Sequence, residues 1–203
     1  MTVLQVAAPR VGRMFTRYLA AAAVAAATLL AVSSPANAAP AQQLKLRNGL
    51  TLYIPIEWRV YGMGTDAVQV VTGRCRKPQG WGSAECDAFY VLGPSSIKRG
   101  AEGFGPYTGK RPFYTASDVQ PCPANRKWGE VVGTSVKRGL RQVGPGHKAA
   151  YNEWASKCVS YENGTTKSRF TQREWYLPKS RILVVDQWNT PGLADTLKHA
   201  DWL

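Results

Sequence analysis

Residues 148–188 read KAAYNEWASKCVSYENGTTKSRFTQREWYLPKSRILVVDQW, and the reading of this stretch decides the fold. Asn163-Gly164 in its middle is a hairpin signal, because a tight primed turn needs positive φ at both central positions and these two residue types tolerate it. Residues 151–159 and 166–177 are therefore expected to be neighbouring antiparallel strands. In the second, Lys167, Arg169, Thr171 and Arg173 recur every two residues, which places them on one cationic face of the sheet. Residues 181–188 hold a continuous aliphatic run of the kind found in a strand covered on both sides, so 182–185 is the expected centre of the core. Ala150, Trp154 and Cys158 fall at i, i+4, i+8, a spacing that also suits an amphipathic helix over the first element.

Residues 1–38 read as a cleaved signal peptide. Arg10, Arg13 and Arg17 form a positive region, 19–32 is a short Ala-rich apolar stretch, and Ala36-Asn37-Ala38 offers small residues to a signal peptidase. The apolar stretch is shorter than the roughly 20 residues of a spanning helix. No Arg pair precedes it and no Cys follows it, which argues against twin-arginine export and lipidation. Met14 would also open a complete signal. The chain from 39 to 203 is then a single secreted, extracellular domain with no transmembrane span. The formal charge of +13, less three arginines that leave with the signal, becomes +10, a balance that favours anionic surfaces.

Cys75, Cys86, Cys122 and Cys158 all follow the signal, and an oxidising destination makes two disulfides the expectation. Of three connectivities, Cys75 with Cys86 closes a short loop and Cys122 with Cys158 ties the middle of the chain to the central hairpin. Each would stabilise by about 2–4 kcal/mol. No cysteine pair has zinc spacing and both histidines are distant from the cysteines, so no metal and no cofactor is expected.

Leu44, Leu46, Asn48-Gly49, Leu50, Leu52 and Ile54 suggest a first hairpin. Residues 57–61, 66–72, 87–92 and 129–141 have strand character, and 73–85 is a loop between two of them. Residues 93–127 are rich in Pro and Gly, yet Phe104, Tyr107, Phe113 and Tyr114 imply an excursion packed on the sheet. A terminal helix is expected with Thr190 as N-cap, Pro191 at its first position, a stripe of Leu193, Leu197 and Ala200, and Trp202 as anchor. The sum is an α+β domain: a single antiparallel β-sheet of about six to eight strands with a C-terminal helix packed on it.

The phrase Leu52-Tyr-Ile-Pro-Ile-Glu-Trp58 followed by Val60-Tyr61, and the closing pattern Ile182-Leu-Val-Val-Asp186 followed by 190–202, resemble the opening and closing of PsbP-like domains. That resemblance implies an antiparallel sheet flanked by helices. The whole mature chain also resembles small secreted proteins of high-GC Gram-positive bacteria with no assigned function. The long excursion and the two disulfides depart from the PsbP-like pattern, so no functional residue is carried over.

No nucleophile elbow, phosphate-cradling loop or zinc-protease motif is present. His147 and His199 have no nucleophile marked beside them, and Asp118, Glu153, Glu174 and Asp186 would need to meet in space to act as a carboxylate pair. Asn163-Gly-Thr165 fits a glycosylation acceptor but is read as the turn. Two features are suited to binding: the disulfide-closed loop with Arg74, Arg76, Lys77 and Trp81, and the strand face with Lys167, Arg169 and Arg173. A rigid loop loses little freedom on docking; the plain alternatives are a stapled connection and a solvated sheet face. The leading expectation is a non-enzymatic binding or accessory protein that engages an anionic cell-wall polymer or another secreted protein. Nucleic acid shares the charge but has no motif to support it. A secreted hydrolase and a protease inhibitor using the stapled loop are the alternatives.

Overall fold

The computed structural model describes residues 40–78, 80, 85–116 and 118–203. The signal-peptide expectation and Trp81 lie outside these residues. Along the chain come β1 (Ala41–Lys45), β2 (Leu50–Pro55), β3 (Arg59–Met63), β4 (Ala67–Cys75), β5 (Cys86–Leu92), α1 (Pro94–Ile97), β6 (Pro121–Cys122), β7 (Asn125–Gln142), β8 (Lys148–Ser160), β9 (Thr166–Leu177), β10 (Ile182–Asp186), α2 (Leu193–Lys198) and β11 (Asp201–Trp202).

β8 and β9 pair antiparallel from Val159 opposite Thr166 to Ala150 opposite Tyr176, so the first element is a strand. A spacing of four is also a multiple of the strand period, and Trp154 and Cys158 are both buried on one face. The turn departs from the two-residue type: of Asn163 and Gly164 only Gly164 has positive φ, 68°. Gly164 N donates to Ser160 O and Ser160 N to Thr165 O. Asn163 contributes through its side chain, whose Oδ1 accepts from Thr165 N at 3.1 Å.

The main sheet is antiparallel with eight strands in the order β3-β4-β5-β10-β9-β8-β7-β6. β10 lies between β5 and β9, and every residue from Ile182 to Asp186 is buried, as its aliphatic run dictates. A second, three-stranded sheet, β1-β2-β11, was not foreseen. The first hairpin belongs to this small sheet, with Asn48 and Gly49 at φ 54° and 77° in its turn.

The main sheet is covered on both faces. On one, Val70, Phe89, Tyr151, Trp175, Ile182 and Val184 form a core with Leu50, Leu52 and Ile54 of β2 and Leu193 and Leu197 of α2. Each such large apolar side chain stabilises by about 1.5–3 kcal/mol on burial. On the other face Tyr90, Leu92, Leu183 and Val185 pack against Ile97, Tyr107 and Phe113 of the excursion. Phe104 does not join them; it is 83% exposed.

The terminal helix is shorter than expected and starts later. Gly192, at φ 75°, precedes Leu193, while the Thr190 hydroxyl donates to Asp186 Oδ1 at 3.0 Å instead of capping the helix. The apolar stripe is as expected, with Leu193, Leu197 and Ala200 fully buried. Trp202 anchors the segment by donating to Val143 O at 2.7 Å.

Candidate functional site

β10 ends at Asp186, opposite Phe89 of β5 and Arg173 of β9. β5 begins three residues further out at Cys86, and β9 extends back to Thr166. Adjacent strands lie about 4.8 Å apart, so the early end of the short central strand leaves a gap of roughly 10 Å between its neighbours. Gln187, Trp188 and Asn189 follow at this gap and line a cleft of about 540 Å³ with Pro123, Ala124, Glu153, Arg169, Thr171 and Arg173. A second cleft of about 570 Å³ is lined by Arg74, Arg76, Glu85, Asp87, Ala124 and Trp188. Ala124 and Trp188 line both, so the two clefts adjoin there as a trough in two parts, one beside the end of β4 and one beside β9 beyond the end of β10.

Both expected disulfides are formed, Cys75 to Cys86 and Cys122 to Cys158. They hold the rims of this trough. The first closes β4 on β5, the second ties the β6–β7 turn to β8, and Glu85 N donates to Pro123 O at 2.7 Å between them.

Of the residues singled out in sequence, Arg74, Arg76 and Lys77 are exposed on the loop side and Lys167 and Arg169 on β9. None makes an ion pair among the described residues. Arg173 is different and must be removed from the free cationic face. Its guanidinium donates twice to Asp186 Oδ2, once more to Thr190 O at 3.0 Å, and its side chain is only 14% exposed. The cause is register, since Arg173 sits directly opposite Asp186, which is fully buried. Lys157 takes its place: it lies directly opposite Arg169 across β8 and β9. Like charges so placed repel. Glu85 and Asp87 also line the trough, the latter accepting from Arg74 N at 3.1 Å.

The carboxylates considered for hydrolysis do not converge among the described residues. Asp186 and Glu174 are fully buried on opposite faces, because neighbouring positions in β9 point apart and Asp186 shares the face of Arg173. Glu153 accepts from the Tyr151 hydroxyl at 2.6 Å and pairs with Lys137 at 3.4 Å. Desolvation pushes the Glu153 carboxyl up, but that hydroxyl and Lys137 outweigh it and leave the pKa below its ordinary value. Asp118 opens onto another cleft. His147 stacks on Trp202 with centroids 4.0 Å apart, and His199 is an exposed partner of Asp195.

Glu174 has a structural task. Its Oε1 accepts from Phe113 N at 2.6 Å and Gln172 Nε2 at 2.7 Å; its Oε2 accepts from the Tyr107 hydroxyl at 2.7 Å and Trp154 Nε1 at 2.6 Å. These bonds fasten the aperiodic excursion to the sheet. Desolvation raises the Glu174 pKa and the four donors pull it part of the way back; burial, then the carboxylate, drives the Tyr107 hydroxyl well above its usual range. From Glu174 a chain of amides runs through Gln172 and Gln187 to Glu130 Oε1, with Gln187 Nε2 2.7 Å from Gln172 Oε1 and 2.9 Å from Glu130. Sequence reasoning passed over Glu130. Its only signal was an acid within an otherwise apolar and neutral run, Trp128 to Gly133.

No family model, no curated protein and no solved structure matches this chain. The resemblance to PsbP-like domains therefore rests on its sequence phrases alone. Among the described residues no helix is long and apolar enough to cross a membrane. That fact and the two disulfides are compatible with an extracellular, disulfide-stabilised protein.

Proposed function

We propose that this is a secreted, non-enzymatic binding or accessory protein that engages an anionic polymer at its cationic trough. The observation that carries the reading is the junction at Trp188 and Ala124, where the Arg74 and Arg76 side meets the Arg169 side. Cations held next to one another without acidic partners among the described residues, as Lys157 and Arg169 are, gain what they lack from a ligand with regularly spaced negative charge. Trp188 is half-buried between the two basic sides, where its ring can stack on a polymer unit. The stapled rims keep the trough in shape, so little conformational freedom is lost on binding. Arg173 then serves as a support, holding the end of β10 through Asp186.

The test is binding of the protein to wall polyanions, DNA and anionic vesicles across a salt series, with Arg169→Glu and Lys157→Glu alongside. Binding to a wall polyanion is expected to fall steeply with salt and by about tenfold or more in each variant. Binding that survives about 0.5 M salt, or that ignores both charge reversals, would remove the reading. Preference for DNA or vesicles over the wall polymers would correct the partner.

A further inference from the structure

Residues 101–116 with Asp118 and Val119 lie along the first part of β7 and enclose with it a cavity of about 450 Å³, distinct from the trough. Val119 packs so closely there that its Cγ1 lies 2.5 Å from where a Cβ on Gly129 would stand. The walls are largely apolar, from Pro112, Val119, Val131 and Val132, with the Tyr114 ring among them. Val119 and Val131 are 53% and 37% exposed at its mouth. The volume suits a small organic molecule.

The charge of this cavity runs against that of the molecule. Glu102, Asp118 and Glu130 line it against Arg111 alone, and Arg111 is already within 3.5 Å of Glu102. Glu130 sits deepest, 3% exposed. Its Oε1 accepts from Gln187 Nε2, whereas among the described residues no hydrogen bond reaches Oε2. No fully buried side-chain oxygen of the described residues lacks a partner, so Oε2 is the atom that meets the cavity. An open carboxylate oxygen among apolar walls has the chemistry to receive an N–H donor that carries positive charge, and the Tyr114 face adds attraction for a cation.

We propose that this cavity is a binding site for a small organic cation, a protonated amine on an apolar body, with the ammonium group on Glu130 and the body against Val119, Val131 and Val132. Burial raises the Glu130 carboxyl to about 7, so at pH 8 it is mostly ionised in the empty site. The titratable and charged groups that share the cavity with it are Glu102, Arg111, Tyr114 and Asp118, and Gln187 from the segment after β10 holds its Oε1.

The probes are benzylamine and its neutral counterpart benzyl alcohol, titrated calorimetrically into the protein at pH 8, with Glu130→Gln in parallel and circular dichroism as the check of its fold. Benzylamine is expected to bind at least about tenfold more tightly than the alcohol, and the variant to abolish that difference. In the unsubstituted protein, benzylamine should also shift the methyl resonances of Val119, Val131 and Val132, a readout that stands even if the variant fails to fold. Equal binding of amine and alcohol, retention of the preference in Glu130→Gln, no binding by about 10 mM benzylamine, or shifts located elsewhere would each overturn the proposal.

Discussion

The two halves of β9 form one strand with opposite fates. From Gln172 to Leu177 nearly every polar group is committed: Arg173 to Asp186, Glu174 to four donors, Gln172 to Phe113 O and to Gln187. From Thr166 to Thr171 the side chains are exposed or half-buried, and Lys167 and Arg169 have no acidic partner among the described residues. What separates them is the neighbour, since β10 runs beside the first set and ends before the second. Commitment to structure and availability to a ligand are thus set by where a five-residue strand stops.

The sharpest way to break the committed half is Glu174→Ala, which leaves the Tyr107, Trp154, Gln172 and Phe113 donors without their acceptor. A loss of about 4–5 kcal/mol is expected in denaturant unfolding, with the excursion released first in hydrogen exchange. Asp186→Ala should follow at about 3 kcal/mol, because it strands the largely buried Arg173 charge.

Glu130→Gln tests an intermediate case on β7, a buried acid held among the described residues through one oxygen, by Gln187. The folded pKa lies above the ordinary 4.5, at about 7, so the folded state holds this proton more tightly than the unfolded one. The wild-type stability advantage of that proton is full below pH 4.5 and is lost as pH rises towards 7, on the order of 3 kcal/mol in all. Glu130→Gln should remove this slope and exceed the wild type above pH 7, as read from urea midpoints across pH. Glu174 is raised in the same direction, so the difference between the two proteins isolates Glu130. The smallest stability effect is expected for Arg169→Ala, within about 0.5 kcal/mol, although the same change should weaken polyanion binding. A large stability loss there would place Arg169 in the committed half and undo the contrast.

The strands and the two cystines could be read from sequence because alternation, aliphatic runs and loop length are local properties. Ile182 to Val185 announced the core, and the Cys75 to Cys86 spacing announced the staple. Arg173 was misread because its partner depends on the register of β10, thirteen residues later, which no local pattern encodes. Thr190 was misread for the same reason: Asp186 competes successfully for its hydroxyl. The small sheet pairs Thr51 with Asp201, a contact across most of the chain. The Glu130 cavity was hidden because its other wall, built from residues between 101 and 116 with Asp118 and Val119, lacks the periodicity from which a packed face is recognised.

The place of β10 also bears on the time course of folding. It is the last strand of the main sheet to be synthesised, yet it occupies an inner position, with Leu183 opposite Leu92 some ninety positions earlier. Until it arrives, β5 and β9 present bare edges to one another and to any passing chain. Only the β9 side of β10 is a local hairpin, so closing the main sheet must wait for that late hairpin to dock on the early β5, a long-range pairing of the kind that slows folding. A nascent chain would stay open until most of its length is made.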